Sequence, residues 1–117
     1  MKRQIKIVED GKEIIFELND SIAADSLYNQ LPLEVEVSDY SNEEKIFYPN
    51  RSLDTSGTPL ANAKAGTLAY FAPWGDVVMF YENFGPFSGL YELGHVISGG
   101  ECIKSISKAT YLIEKIS

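Results

Sequence analysis

The chain is poor in the residues that build metal centres and disulfides. Its 117 residues include one cysteine, Cys102, and one histidine, His95. A single cysteine excludes an internal disulfide and a cysteine-rich metal site, and a lone histidine in a strand pattern is a poor metal or catalytic candidate. We therefore expect Cys102 to be a small core residue. The sequence also has no phosphate-binding glycine loop, so we expect no metal and no cofactor.

Basic residues and long apolar runs are also scarce. Lys and Arg number 10 against 17 Asp and Glu, which gives a net charge of -7. Proteins that bind nucleic acid or anionic membranes use basic patches, so neither partner is expected. No apolar run approaches the ~20 residues of a membrane span. Lys2 and Arg3 precede an alternating pattern instead of a continuous apolar segment, so we expect no signal peptide and a cytoplasmic location.

The sequence is rich instead in short segments that alternate between apolar and polar residues. The length favours one domain over residues 1–117. Asp10-Gly11 between two alternating runs is a strong signal for a β-hairpin. The alternation and the turn residues predict seven or eight strands, helices over 22–31 and 101–107, and long loops over 50–66 and 82–89. This pattern is typical of a mainly β closed barrel or a sandwich.

The segment Gly66–Tyr81 is the most informative part of the chain. Two apolar, aromatic-rich runs flank Pro73-Trp74-Gly75-Asp76, so the segment predicts a core hairpin with Trp74 at its bend. Trp74 would either stack on a ligand at the mouth of a pocket or cap the barrel end as a core residue. Strand alternation turns about half of the neighbouring aromatic residues outward. Together with Phe84 and Phe87 they would form an exposed aromatic strip, which favours a binding or oligomer surface unless a loop covers it.

Several local motifs resemble the cyclophilin-like fold, and in particular small bacterial cyclophilin-like proteins with an Ala-Pro-Trp-Gly hairpin. The matching segments are 29–33, 38–40, 44–46, Ala72-Pro73-Trp74-Gly75 running into Phe80-Tyr81, and Leu93-Gly94-His95-Val96-Ile97-Ser98-Gly99. The resemblance covers nearly the whole chain. It implies a closed antiparallel eight-stranded β-barrel with two short helices.

The resemblance to the peptidyl-prolyl isomerases of this fold is more distant. Alignment of their motifs puts Ile46 at the position of the isomerase arginine and Val78 at that of the glutamine, and Leu90 replaces the rim histidine. Phe80 keeps the position of the phenylalanine floor. Lys45 is one residue away from the arginine position and would point to the other face of its strand. The resemblance therefore implies an apolar groove without the polar groups that rotate prolines.

The acidic residues of the middle of the chain are interpreted as solvated. Glu34, Glu36 and the pair Glu43-Glu44 fit exposed strand faces better than a general acid and base, and no nucleophile–base–orienter set is visible. We therefore name no catalytic residue.

The leading hypothesis is a non-catalytic binding domain whose groove holds a peptide segment or a small apolar ligand. Two alternatives stay open: a weak peptidyl-prolyl isomerase that uses Lys45 or Arg51 as its cation, and a structural or interaction protein such as a homodimer. The candidate groove residues are Tyr48, Arg51, Phe71, Trp74, Val78, Phe80, Phe84, Phe87 and Leu90.

Overall fold

The computed structural model describes residues 3–9, 11–40, 43–106 and 109–116. These residues form eight β-strands, one α-helix and one short 3-10 segment. In chain order the elements are β1 (Gln4–Glu9), β2 (Lys12–Leu18), α1 (Ile22–Tyr28), β3 (Leu33–Tyr40), β4 (Glu44–Phe47), β5 (Thr67–Phe71), β6 (Asp76–Phe80), β7 (Leu90–Ser98), the 3-10 segment (Gly100–Cys102) and β8 (Ala109–Lys115).

The strands close into a barrel with the order β1-β2-β7-β5-β6-β4-β3-β8. Every neighbouring pair is antiparallel. Closure depends on β8, where Ile113 pairs with Ile7 on one side and with Leu33 on the other. The expected closed eight-stranded antiparallel barrel is therefore confirmed.

The first hairpin and the helix follow local signals of the sequence. β1 and β2 pair in register, and Gly11 has φ 80° at the turn, whereas Asp10 lies outside the described residues. Ser21 begins α1 as its N-cap, since its Oγ accepts a hydrogen bond from the Ala24 N–H at 3.1 Å.

The second predicted helix forms only in part. Residues 100–102 form only a 3-10 segment, and Ser107 lies outside the described residues. The Ile103 N–H donates to the Gly100 carbonyl at 3.2 Å, and the Ser105 hydroxyl donates to the Cys102 carbonyl at 2.9 Å. These short-range bonds compete with α-helical ones. α1 is also shorter than predicted and ends at Tyr28.

The barrel interior holds the main core. Alternate residues of each strand point into it, including Ile7, Phe16, Leu68, Met79 and Ile113. Cys102 joins this core and is buried, as expected. Gly94 brings β7 against β2, since a Cβ there would lie 2.1 Å from the Glu17 carbonyl oxygen. None of the described helices is long and apolar enough to cross a membrane.

Candidate functional site

One wall of the barrel is buried on both faces. In β4 and β6 every residue is buried, whereas in β3 buried and exposed residues alternate from Leu33 to Val37. Val77 and Met79 face the interior, while Val78 and Phe80 face outward and belong to a second apolar cluster. An outward face this apolar must be covered, and the two long predicted loops cover it.

The loop of residues 48–66 packs its alanines on this outer wall. Ala61 and Ala63 are buried in the second cluster. The Ala61 N–H donates to the Leu90 carbonyl at 2.9 Å, and the Gly66 N–H donates to the Phe80 carbonyl at 2.8 Å. The loop is thus attached at both sides of the outer cluster.

The second loop, residues 81–89, is tied to the first loop and to the β5–β6 turn. The Phe84 N–H donates to the Ala63 carbonyl at 2.7 Å, and the Ala72 N–H donates to the Gly89 carbonyl at 2.9 Å. Gly89 has φ 85°, and a Cβ there would lie 2.9 Å from Pro73 Cδ. A side chain at this position would push the loop away from the turn.

Between the 81–89 loop, the β5–β6 turn and the strands lies a cleft of about 200 Å³. Its lining is mostly aromatic and aliphatic, with two carboxylic acids. The residues are Tyr40, Glu44, Phe71, Trp74, Asp76, Val78, Phe80, Phe84, Phe87 and Leu90.

The rim of the cleft is a chain of contacting aromatic rings. The Trp74 ring stands nearly perpendicular to Tyr40, with centroids 4.9 Å apart, and meets Phe71 at 5.5 Å with an interplanar angle of 71°. Phe87 contacts Phe71 at 5.7 Å and Phe84 at 5.9 Å. Edge-to-face contacts of this kind fix ring orientations, so the rim has a defined shape.

Phe80 and Phe84 join the rim to the floor. Their rings stack at 5.5 Å with an interplanar angle of 29°. Phe80, Val78 and Leu90 are buried, whereas Phe84, Phe87 and Trp74 are 44%, 51% and 49% exposed. The cleft therefore combines a floor of buried apolar residues with aromatic walls that are partly exposed to solvent.

Two carboxyl groups belong to the same cleft. Glu44 pairs with Phe80 across β4 and β6, and Asp76 pairs with Phe71 across β5 and β6. The two acids therefore lie beside opposite ends of β6. Asp76 is 1% exposed and Glu44 is 7% exposed. The Asp76 Oδ1 atom has no hydrogen-bond partner among the described residues.

Burial changes the proton affinity of both acids. It raises the pKa of Asp76 to about 6, against the opposing effect of a hydrogen bond from its own backbone N–H. It also raises the pKa of Glu44 to about 7, and the negative charges of Asp76 and Glu43 add to that rise. An ionised carboxylate is costly in an apolar site, which is the physical cause of both raised pKa values.

The interpretation of Glu44 as a solvated residue is wrong. Glu34 and Glu36 are exposed, as expected, but the alternation of β4 turns Glu44 toward the covered outer face, where Ile46 also lies. Asp76 was not considered as a site residue. The signal that could have found both acids is the uninterrupted apolar run of β6, because such a run indicates a strand buried on both faces.

The structure brings most of the candidate groove residues together. All of them line the cleft except Tyr48 and Arg51. Tyr48 follows the end of β4 and is 56% exposed. Arg51 lies in the loop after it, where its backbone N–H donates to Gln30 Oε1 and its carbonyl accepts from Gln30 Nε2, both at 3.0 Å. Tyr40, Glu44 and Asp76 complete the lining and were not among the candidates.

Lys45 does not supply a cation to the cleft. It pairs with Met79, an interior-facing residue, and is buried with its Nζ bonded to Asp39 Oδ1. Its Nζ also lies 6.0 Å from the centre of the Tyr81 ring. The neighbouring Glu44 faces the other side of the strand, as the period of two requires.

Trp74 and His95 are both exposed to solvent. Trp74 lies at the bend of the β5–β6 hairpin, as predicted, and its ring forms part of the cleft rim instead of a buried cap. His95 is an exposed residue of β7. The described residues contain no group of His, Cys, Asp and Glu side chains that could hold a metal ion.

The closed eight-stranded antiparallel barrel is consistent with the class of cyclophilin-like proteins. The chain belongs to the Cyclophilin-like family, whose profile matches residues 7–113.

A solved structure supports the fold. The hypothetical protein AF2241 from Archaeoglobus fulgidus, known from a solution structure, superposes with a TM-score of 0.74 over 97% of this chain and 94% of its own, at 15% sequence identity. A likeness at this identity concerns the fold alone. None of the curated proteins matches the sequence.

Proposed function

We propose that this barrel is a non-catalytic binding domain that holds a small apolar ligand or one side chain of a peptide segment in the outer-wall cleft. The observation that carries the proposal is the cleft itself, which combines a buried apolar floor with a solvent-accessible aromatic rim. Concave apolar sites with a few polar groups are the usual form of ligand sites. At about 200 Å³ the cleft suits a fragment-sized occupant.

Proline isomerisation fits the cleft less well. The positions that correspond to the isomerase arginine, glutamine and histidine are Ile46, Val78 and Leu90, which are all buried and apolar. Among the described residues that line the cleft there is no guanidinium and no amide side chain. Without a donor to the prolyl amide the transition state gains no electrostatic stabilisation. Binding without turnover is therefore favoured over catalysis.

A titration with small aromatic alcohols, acids and amines, and with short aromatic peptides, tests the proposal. We expect at least one class to shift the amide NMR signals of β6 and the 81–89 loop, and to change the fluorescence of Trp74, the sole tryptophan. Phe87→Ala should weaken that binding about tenfold, because buried aromatic contact contributes 1 kcal/mol or more. Phe87 is half exposed, so the variant should keep its fold.

Leu112→Ala is the matched control, because Leu112 is also about half exposed but lies on β8 outside the cleft lining. Its affinity should equal that of the parent protein. If no compound moves the signals of the cleft, the binding proposal fails. If those signals move only with protein concentration, and light scattering shows a dimer, the rim is a contact surface between copies of the chain.

A further inference from the structure

The cleft contains a buried hydrogen-bond acceptor that no described residue satisfies. Asp76 is 1% exposed, it lines the cleft, and its Oδ1 atom has no hydrogen-bond partner among the described residues. Native proteins satisfy nearly all buried polar atoms, and an exception requires an explanation. Glu44 adds a second buried carboxyl to the same cleft.

The described basic residues that form ion pairs do so with other acids, not with Asp76 or Glu44. Arg3 pairs with Asp25, Lys6 pairs with Glu13, and Lys45 pairs with Asp39 on the other face of β4. Within the described ranges of the chain, no ion pair reaches Asp76 or Glu44. A ligand cation would supply these acids with a positive charge that no described residue provides.

The aromatic rim is suited to the same kind of group. The Trp74 ring is tilted by 84° from Tyr40 and by 71° from Phe71, and all three rings line the cleft. Faces of Trp, Tyr and Phe rings attract ammonium groups, and the attraction increases when water is excluded. An aromatic wall and a carboxylate are complementary to one ammonium group and to the apolar carbons attached to it.

We propose that the cleft selects ligands that carry an ammonium group on a small apolar body, with Asp76 and Glu44 as the groups that determine this selectivity. The inference deepens the proposed binding function and rests on it. Asp76 Oδ1 accepts the N–H of the ligand, and the rings of the rim surround its apolar part. Burial raises the pKa values of both acids. The ammonium group gives the Asp76 carboxylate a partner of opposite charge.

Three probes of similar size and shape but different charge test whether the cleft prefers a cation. They are 2-phenylethylammonium, the neutral 2-phenylethanol and the anion 3-phenylpropanoate. Their affinities are measured at pH 8 by NMR titration and Trp74 fluorescence. We expect the cation to bind about tenfold or more tightly than the alcohol, since a hydrogen bond to a charged group is roughly twice as strong as a neutral one. The anion should bind most weakly. An N-terminally acetylated peptide amide with one internal lysine, measured alongside, distinguishes a free amine from an amine on a polypeptide.

Asp76→Asn and Glu44→Gln should each remove most of the preference for the cation while leaving the affinity for 2-phenylethanol nearly unchanged. Glu34→Gln is the control, because it removes one negative charge from an exposed site of β3 outside the cleft. It should keep the preference. A thermal unfolding curve for each variant shows that the fold is intact.

The outcomes separate the two proposals. If the alcohol, the anion and the cation bind alike, or if the Asp76→Asn variant keeps its preference, the selectivity inference is overturned while the binding function stands. If none of the three probes moves the cleft signals, this selectivity inference fails, and the broader titration decides the binding function.

Discussion

At the scale of single residues, Asp76 and Glu44 are in conflict with their surroundings. Both carboxyls are buried among aromatic and aliphatic side chains, and burial raises their pKa values to about 6 and about 7. Their ordinary values are 3.8 and 4.5. Side chains whose ionised form destabilises the fold are typical of functional sites, because such sites often trade stability for activity.

This conflict predicts a pH-dependent stability. Because folding raises both pKa values, the folded protein keeps protons that the unfolded chain releases, so the contribution of these acids is complete below about pH 4 and is lost as the pH rises through 6 and 7. The double variant Asp76→Asn/Glu44→Gln has no such loss. At pH 8 it should exceed the parent protein by about 1–3 kcal/mol in the free energy of unfolding.

Urea unfolding at pH 4 and pH 8 measures the difference. At pH 4 the parent and the double variant should differ much less, because the parent acids are then protonated. Glu34→Gln controls for the loss of surface charge. If the free energies of unfolding of parent and double variant differ by the same amount at the two pH values, the predicted cost of burying ionised carboxyls is contradicted.

At the scale of elements, the close approach of β7 to β2 depends on Gly94. This residue pairs with Leu18 on one side and with Leu68 on the other, and an added Cβ would lie 2.1 Å from the Glu17 carbonyl oxygen. Since the obstructing atom belongs to the backbone, the strands themselves would have to separate. Gly94→Ala should therefore reduce the free energy of unfolding by about 3 kcal/mol or more.

Gly57→Ala provides the comparison. Gly57 has φ 62° in the loop of residues 48–66, and nothing lies within 4 Å of an added Cβ. Gly57→Ala should therefore lower the free energy of unfolding only by the cost of an alanine in the left-handed backbone conformation, about 1 kcal/mol. Equal losses in the two variants, measured by urea unfolding, would show that strand separation at Gly94 costs nothing extra.

At the scale of the whole molecule, closure of the barrel depends on its last strand. β8 lies between β1 and β3, and Ile113 is buried at the seam where it pairs with both. Ile113→Ala should destabilise the fold by about 2–4 kcal/mol, because the cavity would form between strands that are remote in sequence. A lower midpoint of urea denaturation is the measured result.

The neighbouring Leu112 is the matched control. It lies on the same strand but faces outward and is 46% exposed. Leu112→Ala should change stability by no more than about 0.5 kcal/mol. If both substitutions have equally small effects, the seam contributes little and the barrel is held together elsewhere.

Much of the molecule could be predicted because its signals are local. Alternation along β1, β2 and β3, the apolar run of β6 and the turn residues around Trp74 each define an element without reference to the rest of the chain. The resemblance of the hairpin and of the Gly94 segment to the cyclophilin-like fold then supplied the closed barrel. The helix predicted over 101–107 is shorter than expected because hydrogen bonds of 3-10 type form there in place of α-helical ones.

The sequence by itself therefore determined most of the strands, their turns and most of the aromatic residues of the cleft. Only the tertiary structure decided that Glu44 and Asp76 share this cleft with Tyr40, that Arg51 and Tyr48 stay outside it, and that Lys45 turns away. The physical reason is that strand periodicity assigns a residue to a face but does not state what covers that face. Here two loops that are irregular in sequence cover the outer wall, and the two acids on that wall are buried.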